Sequence, residues 1–132
     1  LILVPVGATR QVGLMEERFQ QQAVERETPV AVFCEAATRT VIAYSRRFYG
    51  YAGVHLHDPL AVGLASDPQL CSAESFWLDI ETEGELTSGQ VVVDHRPFIR
   101  DEDRAGYKVD CVVEVEAERF KDLFSVRVLG EK

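Results

Sequence analysis

Phe76-Trp77-Leu78-Asp79-Ile80-Glu81 is the stretch where the period of this chain changes. Phe76, Leu78 and Ile80 alternate with Trp77, Asp79 and Glu81, which predicts a strand with one wetter face. Upstream of it the apolar spacing is helical. Thr28-Pro29 supplies an N-cap and a first-turn proline. Phe33, Ala37, Val41, Tyr44 and Phe48 then recur three or four apart and predict one long helix with Tyr44 in the core. Gly50 and Gly53 end that helix and open a loop. Downstream, Gly84 to Gly89 reads as a turn and Gln90 to Asp94 as a returning strand, so the two strands form a hairpin. Arg96 to Gly106 reads as a polar surface loop, Tyr107 to Val115 as a third strand, and Ala117 to Phe124 as an amphipathic helix with Phe120, Leu123 and Phe124 on its apolar side.

The remaining pieces complete an α/β pattern. Leu1-Ile2-Leu3-Val4-Pro5-Val6 reads as a strand buried in a sheet and ended by Gly7. Leu14 to Gln22 reads as a short polar helix. Asp58-Pro59 gives a second cap and first-turn pair, predicting a helix to about Ala65, and Asp67-Pro68 starts another turn. No linker or internal repeat divides the 132 residues, so they are read as a single unit. An apolar start without methionine leads to the expectation that further residues lie upstream.

Composition narrows the classes. Hydrophobic residues make up 46% and charged residues 27%, with a formal net charge of −8. A polyanionic nucleic-acid partner needs a basic face and is not expected. No apolar run approaches the ~18 residues that span a membrane. Cys34, Cys71 and Cys111 are odd in number and widely spaced, which argues against a zinc ribbon or a disulfide framework and favours a reducing, cytoplasmic location.

His55-Leu56-His57-Asp58-Pro59 is the cluster most able to carry chemistry. Histidine is the usual proton donor or acceptor near neutral pH. A carboxylate is a hard oxygen ligand for calcium or magnesium. The pair sits where a glycine-flanked loop meets a helix, the kind of junction at which α/β enzymes keep their sites. The same residues have plainer readings: Asp58 as a helix cap, His57 as a structural hydrogen-bond partner, His55 as a surface residue. His55 and His57 together could also bind zinc or iron, although His95 is the only other histidine. Weaker candidates are Asp94-His95 at a strand end, Asp101-Glu102-Asp103 as an acidic run, Thr9-Arg10 as a ligand contact or surface pair, and Tyr49 and Tyr51 as rings that could stack on a base.

Phe48-Tyr49-Gly50-Tyr51-Ala52-Gly53 followed by Leu56-His57-Asp58-Pro59-Leu60-Ala61-Val62 resembles the carboxyl-terminal part of inosine-uridine preferring nucleoside hydrolases. Leu3-Val4-Pro5-Val6 through Thr9-Arg10-Gln11, Asp67-Pro68-Gln69-Leu70, Glu81 to Gly84 and Gly89 to Asp94 are similar to further pieces of that family, in the same order. The resemblance implies an open, mostly parallel sheet with flanking helices and a late antiparallel hairpin. It implies hydrolysis of the N-glycosidic bond of ribonucleosides to ribose and free base, with a calcium cofactor. By motif, His57 would be the acid that protonates the leaving base, Asp58 a calcium ligand, and Tyr49 and Tyr51 substrate contacts. Family members are often oligomers, so a homo-oligomer is one expectation.

The sequence also departs from the family. Its Asp-x-Asp-x-x-x-Asp-Asp cluster and its asparagine-rich ribose-binding segment are not found in residues 1–132. The nearest imitation, Asp101-x-Asp103, is followed by Tyr107 and Lys108 where acids belong, and His55 stands where a proline or small residue is usual. The chain is therefore expected to be the carboxyl-terminal portion of a hydrolase domain, inactive by itself, with a missing amino-terminal portion. The alternatives are a non-catalytic interaction module, pairing through the Leu1 to Val6 edge, and a two-histidine transition-metal hydrolase.

Overall fold

A computed structural model describes residues 1–130. Its elements are β1 (Ile2–Leu3), α1 (Val6–Thr9), β2 (Gly13–Met15), α2 (Glu16–Arg26), α3 (Pro29–Tyr49), β3 (Gly53–His55), α4 (His57–Ser66), β4 (Cys71–Ile80), β5 (Val91–Val93), β6 (Tyr107–Val115) and α5 (Ala117–Phe124), with a closing π-turn over Ser125–Leu129. The main sheet has the order β1-β6-β4-β5. β1 runs parallel to β6, while β6–β4 and β4–β5 are antiparallel. β4 and β5 form the expected hairpin, with Leu78 opposite Val93. A separate two-stranded ribbon pairs β2 with β3. The class is α/β with a mixed sheet and flanking helices.

The long helix begins as its sequence dictates. The Thr28 hydroxyl accepts the Ala31 N–H at 3.0 Å and donates to the Leu129 carbonyl at 2.7 Å. Gly50 ends the helix in the left-handed conformation, φ 65°, which a residue without a Cβ adopts freely. Because Thr28 serves both a helix start and the Ser125–Leu129 turn, Thr28→Ala is expected to lower stability by about 1–2 kcal/mol, read as a shift of the urea midpoint. An unchanged midpoint would show that neither bond contributes.

The face that α3 buries differs from the expected one. Ala31 and Ile42 are buried and Cys34, Thr38 and Ser45 half-buried, whereas Phe33, Val41, Tyr44 and Phe48 are 69, 49, 52 and 58% exposed. Tyr44 is therefore outside the core. The face with Ala31, Cys34, Thr38, Ile42 and Ser45 is turned toward α2, β3 and the closing turn, and the aromatic side chains are turned outward. The expected Leu1 to Val6 strand is also shorter. Only Ile2–Leu3 pair, with β6 alone, and the chain then enters α1. Leu14 belongs to β2, and the polar helix starts at Glu16 and runs on to Arg26.

The core lies between the ribbon, α2, α3, α4 and α5, where Leu14, Phe19, Leu60, Leu70, Phe120 and Leu129 are at most 2% exposed. Ala8, Leu64 and Val112 form a smaller cluster joined to it through Val4, Cys71 and Val115. No helix among the described residues is long and apolar enough to cross a membrane.

Candidate functional site

The ribbon sets the start of α4. β3 pairs with β2 up to Gly13 opposite His55, and the Leu56 N–H then bonds the Val12 carbonyl at 3.2 Å. The Leu60 N–H already bonds back to the Leu56 carbonyl at 3.1 Å, so helix geometry begins at His57. Leu56 is the N-cap and has no side-chain cap bond. Asp58 lies inside the first turn and is not the cap that Asp58-Pro59 suggested. Its exposed carboxylate has no hydrogen-bond or ion-pair partner among the described residues.

His57 is exposed, but one side of its ring is held. Nδ1 lies 2.6 Å from Oγ1 of Thr9, a residue only 5% exposed at the end of α1. The Thr9 hydroxyl also donates to the Val6 carbonyl at 3.1 Å. Two segments 48 positions apart thus meet at one imidazole. Thr9 carries no surface role; Arg10 beside it is exposed.

His55 and Tyr51 stand behind His57. The Tyr51 ring stacks on His55, centroids 4.5 Å apart and planes at 15°, and His55 is 5.7 Å from the His57 ring. Gly13 makes room for this stack, since a Cβ there would lie 2.3 Å from the Tyr51 hydroxyl oxygen. Burial lowers the His55 pKa, and the charges of His57 and Arg10 lower it further, outweighing a backbone contact with Arg10. His55 Nδ1 is buried without a hydrogen-bond partner among the described residues. His55 is a ring packed against Tyr51 and not a surface residue. Tyr49, the other candidate base contact, lies away from this row. It is 71% exposed and meets Tyr44 edge-on at 5.8 Å.

Asp94 has a different task. Arg96 grips its carboxylate with Nε at 2.9 Å and Nη2 at 2.7 Å, and Arg104 donates to its backbone carbonyl at 3.1 Å. The Arg96 guanidinium holds the Asp94 pKa far below the ordinary carboxylate range. Asp101 and Asp103 are paired with Lys108, Arg104 and Arg100. These charges fasten the loop over 94–106. Sequence reading missed the clamp because its partners, two to ten positions apart, carry no periodic signal.

A cleft of about 920 Å³ lies between α3, α4 and α5. Phe33, Pro59, Val62, Leu123 and Phe124 make it largely apolar, and Asp58 and His55 are among its lining. No three His, Cys, Asp or Glu side chains among the described residues are gathered as a metal site would need. Calcium takes six to eight oxygen ligands, so Asp58 alone does not make its site.

Residues 1–122 match the inosine-uridine preferring nucleoside hydrolase family. This chain belongs to that family. It is 33% identical over 113 residues to the pyrimidine-specific ribonucleoside hydrolase RihA of Shewanella woodyi, covering 77% of this chain and 36% of that protein. It is 31% identical over 80 residues to RihA of an Escherichia coli strain, covering 61% of this chain and 24% of that protein. The chain thus spans about a third or less of the curated relatives it matches. Among solved structures, a purine-preferring ribonucleoside hydrolase from Gardnerella vaginalis superposes with a TM-score of 0.77 at 26% identity, over 97% of this chain and 39% of that one. A plant nucleoside hydrolase superposes with a TM-score of 0.86 at 20% identity, over 98% of this chain and 41% of that one, which shows the shared fold.

Proposed function

We propose that this nucleoside hydrolase chain is the carboxyl-terminal portion of a hydrolase domain that cleaves the N-glycosidic bond of ribonucleosides, and that it carries the acid for the leaving base. The observation that supports this reading most is His57 itself. Its ring is held by Thr9 on one nitrogen and exposed on the other side, at the start of α4, in a chain of this family. N-glycosidic cleavage leaves electron density on the base, and a proton delivered to a ring nitrogen of the base lets it depart neutral. His57 donates that proton from Nε2.

Asp58 contributes one carboxylate to a calcium ion whose other ligands come from outside this chain, either from the rest of the hydrolase fold or from another copy. Calcium, when bound, would orient the ribose hydroxyls and favour the deprotonated form of the attacking water. Exposed Tyr49 is available to stack on a base, while Tyr51 supports the histidine row. Cys34, Cys71 and Cys111 are free thiols, which supports a cytoplasmic setting.

Asp58→Ala is expected to weaken calcium binding by the complete enzyme by on the order of a hundredfold, about 2.7 kcal/mol, measured by calorimetry on protein whose fold is checked by circular dichroism. Unaltered affinity would remove Asp58 from the ligand set.

A further inference from the structure

We infer that Thr9 is a positioning residue for His57: its buried hydroxyl fixes the ring with the proton on Nδ1 and leaves Nε2 as the working nitrogen. The inference rests on the acid role proposed for His57. Thr9 Oγ1 has one hydrogen and two partners, Val6 O at 3.1 Å and His57 Nδ1 at 2.6 Å. A carbonyl oxygen only accepts, so the Val6 contact uses the hydroxyl hydrogen. The Val6 oxygen also receives the Arg10 N–H at 2.9 Å, and its two lone pairs hold both. The hydroxyl oxygen is then left as acceptor, and Nδ1 must be the donor.

Three features make this a fixed arrangement. Thr9 is 5% exposed, so water does not compete for its oxygen. A β-branched side chain on a helical turn has few rotamers. The hydroxyl is tied to its own turn through Val6. A histidine side chain free in water favours the opposite tautomer, with the proton on Nε2. The same Nδ1–H bond persists when the ring is fully protonated, so charging His57 requires no movement of Thr9. The ring keeps its aim whether or not it carries the proton that the base will take.

The test begins with the chain itself. Long-range ¹H–¹⁵N spectra of its neutral histidines are expected to show Nδ1 of His57 as the protonated nitrogen. Thr9→Val, nearly equal in shape but without the hydroxyl, should move the ring toward the Nε2–H form, and Thr9→Ser should restore the wild-type pattern. In the complete enzyme, Thr9→Val should lower kcat for inosine or uridine about tenfold to a hundredfold with little change in KM. Turnover of a p-nitrophenyl riboside, whose leaving group departs without a proton, should be unchanged. A wild-type ring protonated on Nε2, ring nitrogens indifferent to Thr9→Val, or equal losses on both substrates would each overturn the inference. If Thr9→Val fails to fold, the wild-type tautomer and the Thr9→Ser pattern still decide it. His57→Ala with full nucleoside turnover would instead remove the acid role, while the ring spectra would still report whether Thr9 holds His57.

Discussion

Replacing His57 by alanine in the complete enzyme is expected to lower kcat for inosine and uridine by about 10²–10⁴-fold, with KM changed far less. The asymmetry follows from when the proton matters. In the bound nucleoside the base is still attached and carries little extra charge. In the transition state the glycosidic bond is largely broken, and only then does an imidazolium proton stabilise the departing base. An interaction made in the transition state alone appears in kcat, not in KM. A rise in KM with kcat intact would make His57 a binding residue, and unchanged turnover would end the acid role. His57→Gln can still donate a hydrogen bond but cannot transfer a proton, and should recover little of the lost rate.

Phe120→Ala is the second large effect expected, a loss of about 3–5 kcal/mol in stability. Phe120 is 2% exposed and lies in the core with Leu60, Leu70 and Leu129. Its ring rests on Gly63 of α4, where an added Cβ would lie 2.7 Å from Cε2. Alanine would remove the ring and leave a cavity beneath α4, the helix that presents His57 and Asp58. A domain of this size is stable by roughly 5–15 kcal/mol, so the loss is a large fraction and should appear in the urea midpoint. Gly63→Ala should cost about 1–3 kcal/mol by overpacking, and much less in a Phe120→Ala background, because the two share one contact. A loss below about 1 kcal/mol for Phe120→Ala would mean that α5 does not support α4 in this way.

The parts of the fold with strong local signals were legible from sequence. Thr28-Pro29 and Gly50 bound α3 as expected, and β6 and α5 span the expected residues, Tyr107–Val115 and Ala117–Phe124. The period of two around Phe76 correctly marked β4 and its hairpin. What failed was weakly encoded. β2 and β3 have three residues each, too few to show a period, so Tyr51 to Leu56 read as a loop. The helical period of α3 was right, but its phase was not. The aromatic stripe was assumed to face the core, whereas the buried face belongs to Cys34, Thr38, Ile42 and Ser45, one position on. The placement of Asp58 at a cap was off because the bond from Leu56 to Val12 comes from a distant segment.

Of the candidate site, the His57-Asp58 pair was prominent in the sequence, while the contacts around it were not. His57-Asp58 stood out as chemistry at a junction. Thr9 was read with Arg10 as a ligand contact or a surface pair, since nothing in a linear sequence brings it to position 57. His55 looked like surface and proves to be packed against Tyr51. The two-histidine metal reading lacks the gathered third ligand among the described residues that it would need.

The measurement that tests the central claim most directly is product analysis: the complete protein, with calcium, is given inosine or uridine, and the base and sugar released are quantified with and without inorganic phosphate. Free base and ribose in equal amounts, independent of phosphate and sharply reduced by His57→Ala, is the predicted result. No release of base, or release as ribose 1-phosphate only when phosphate is added, would contradict it.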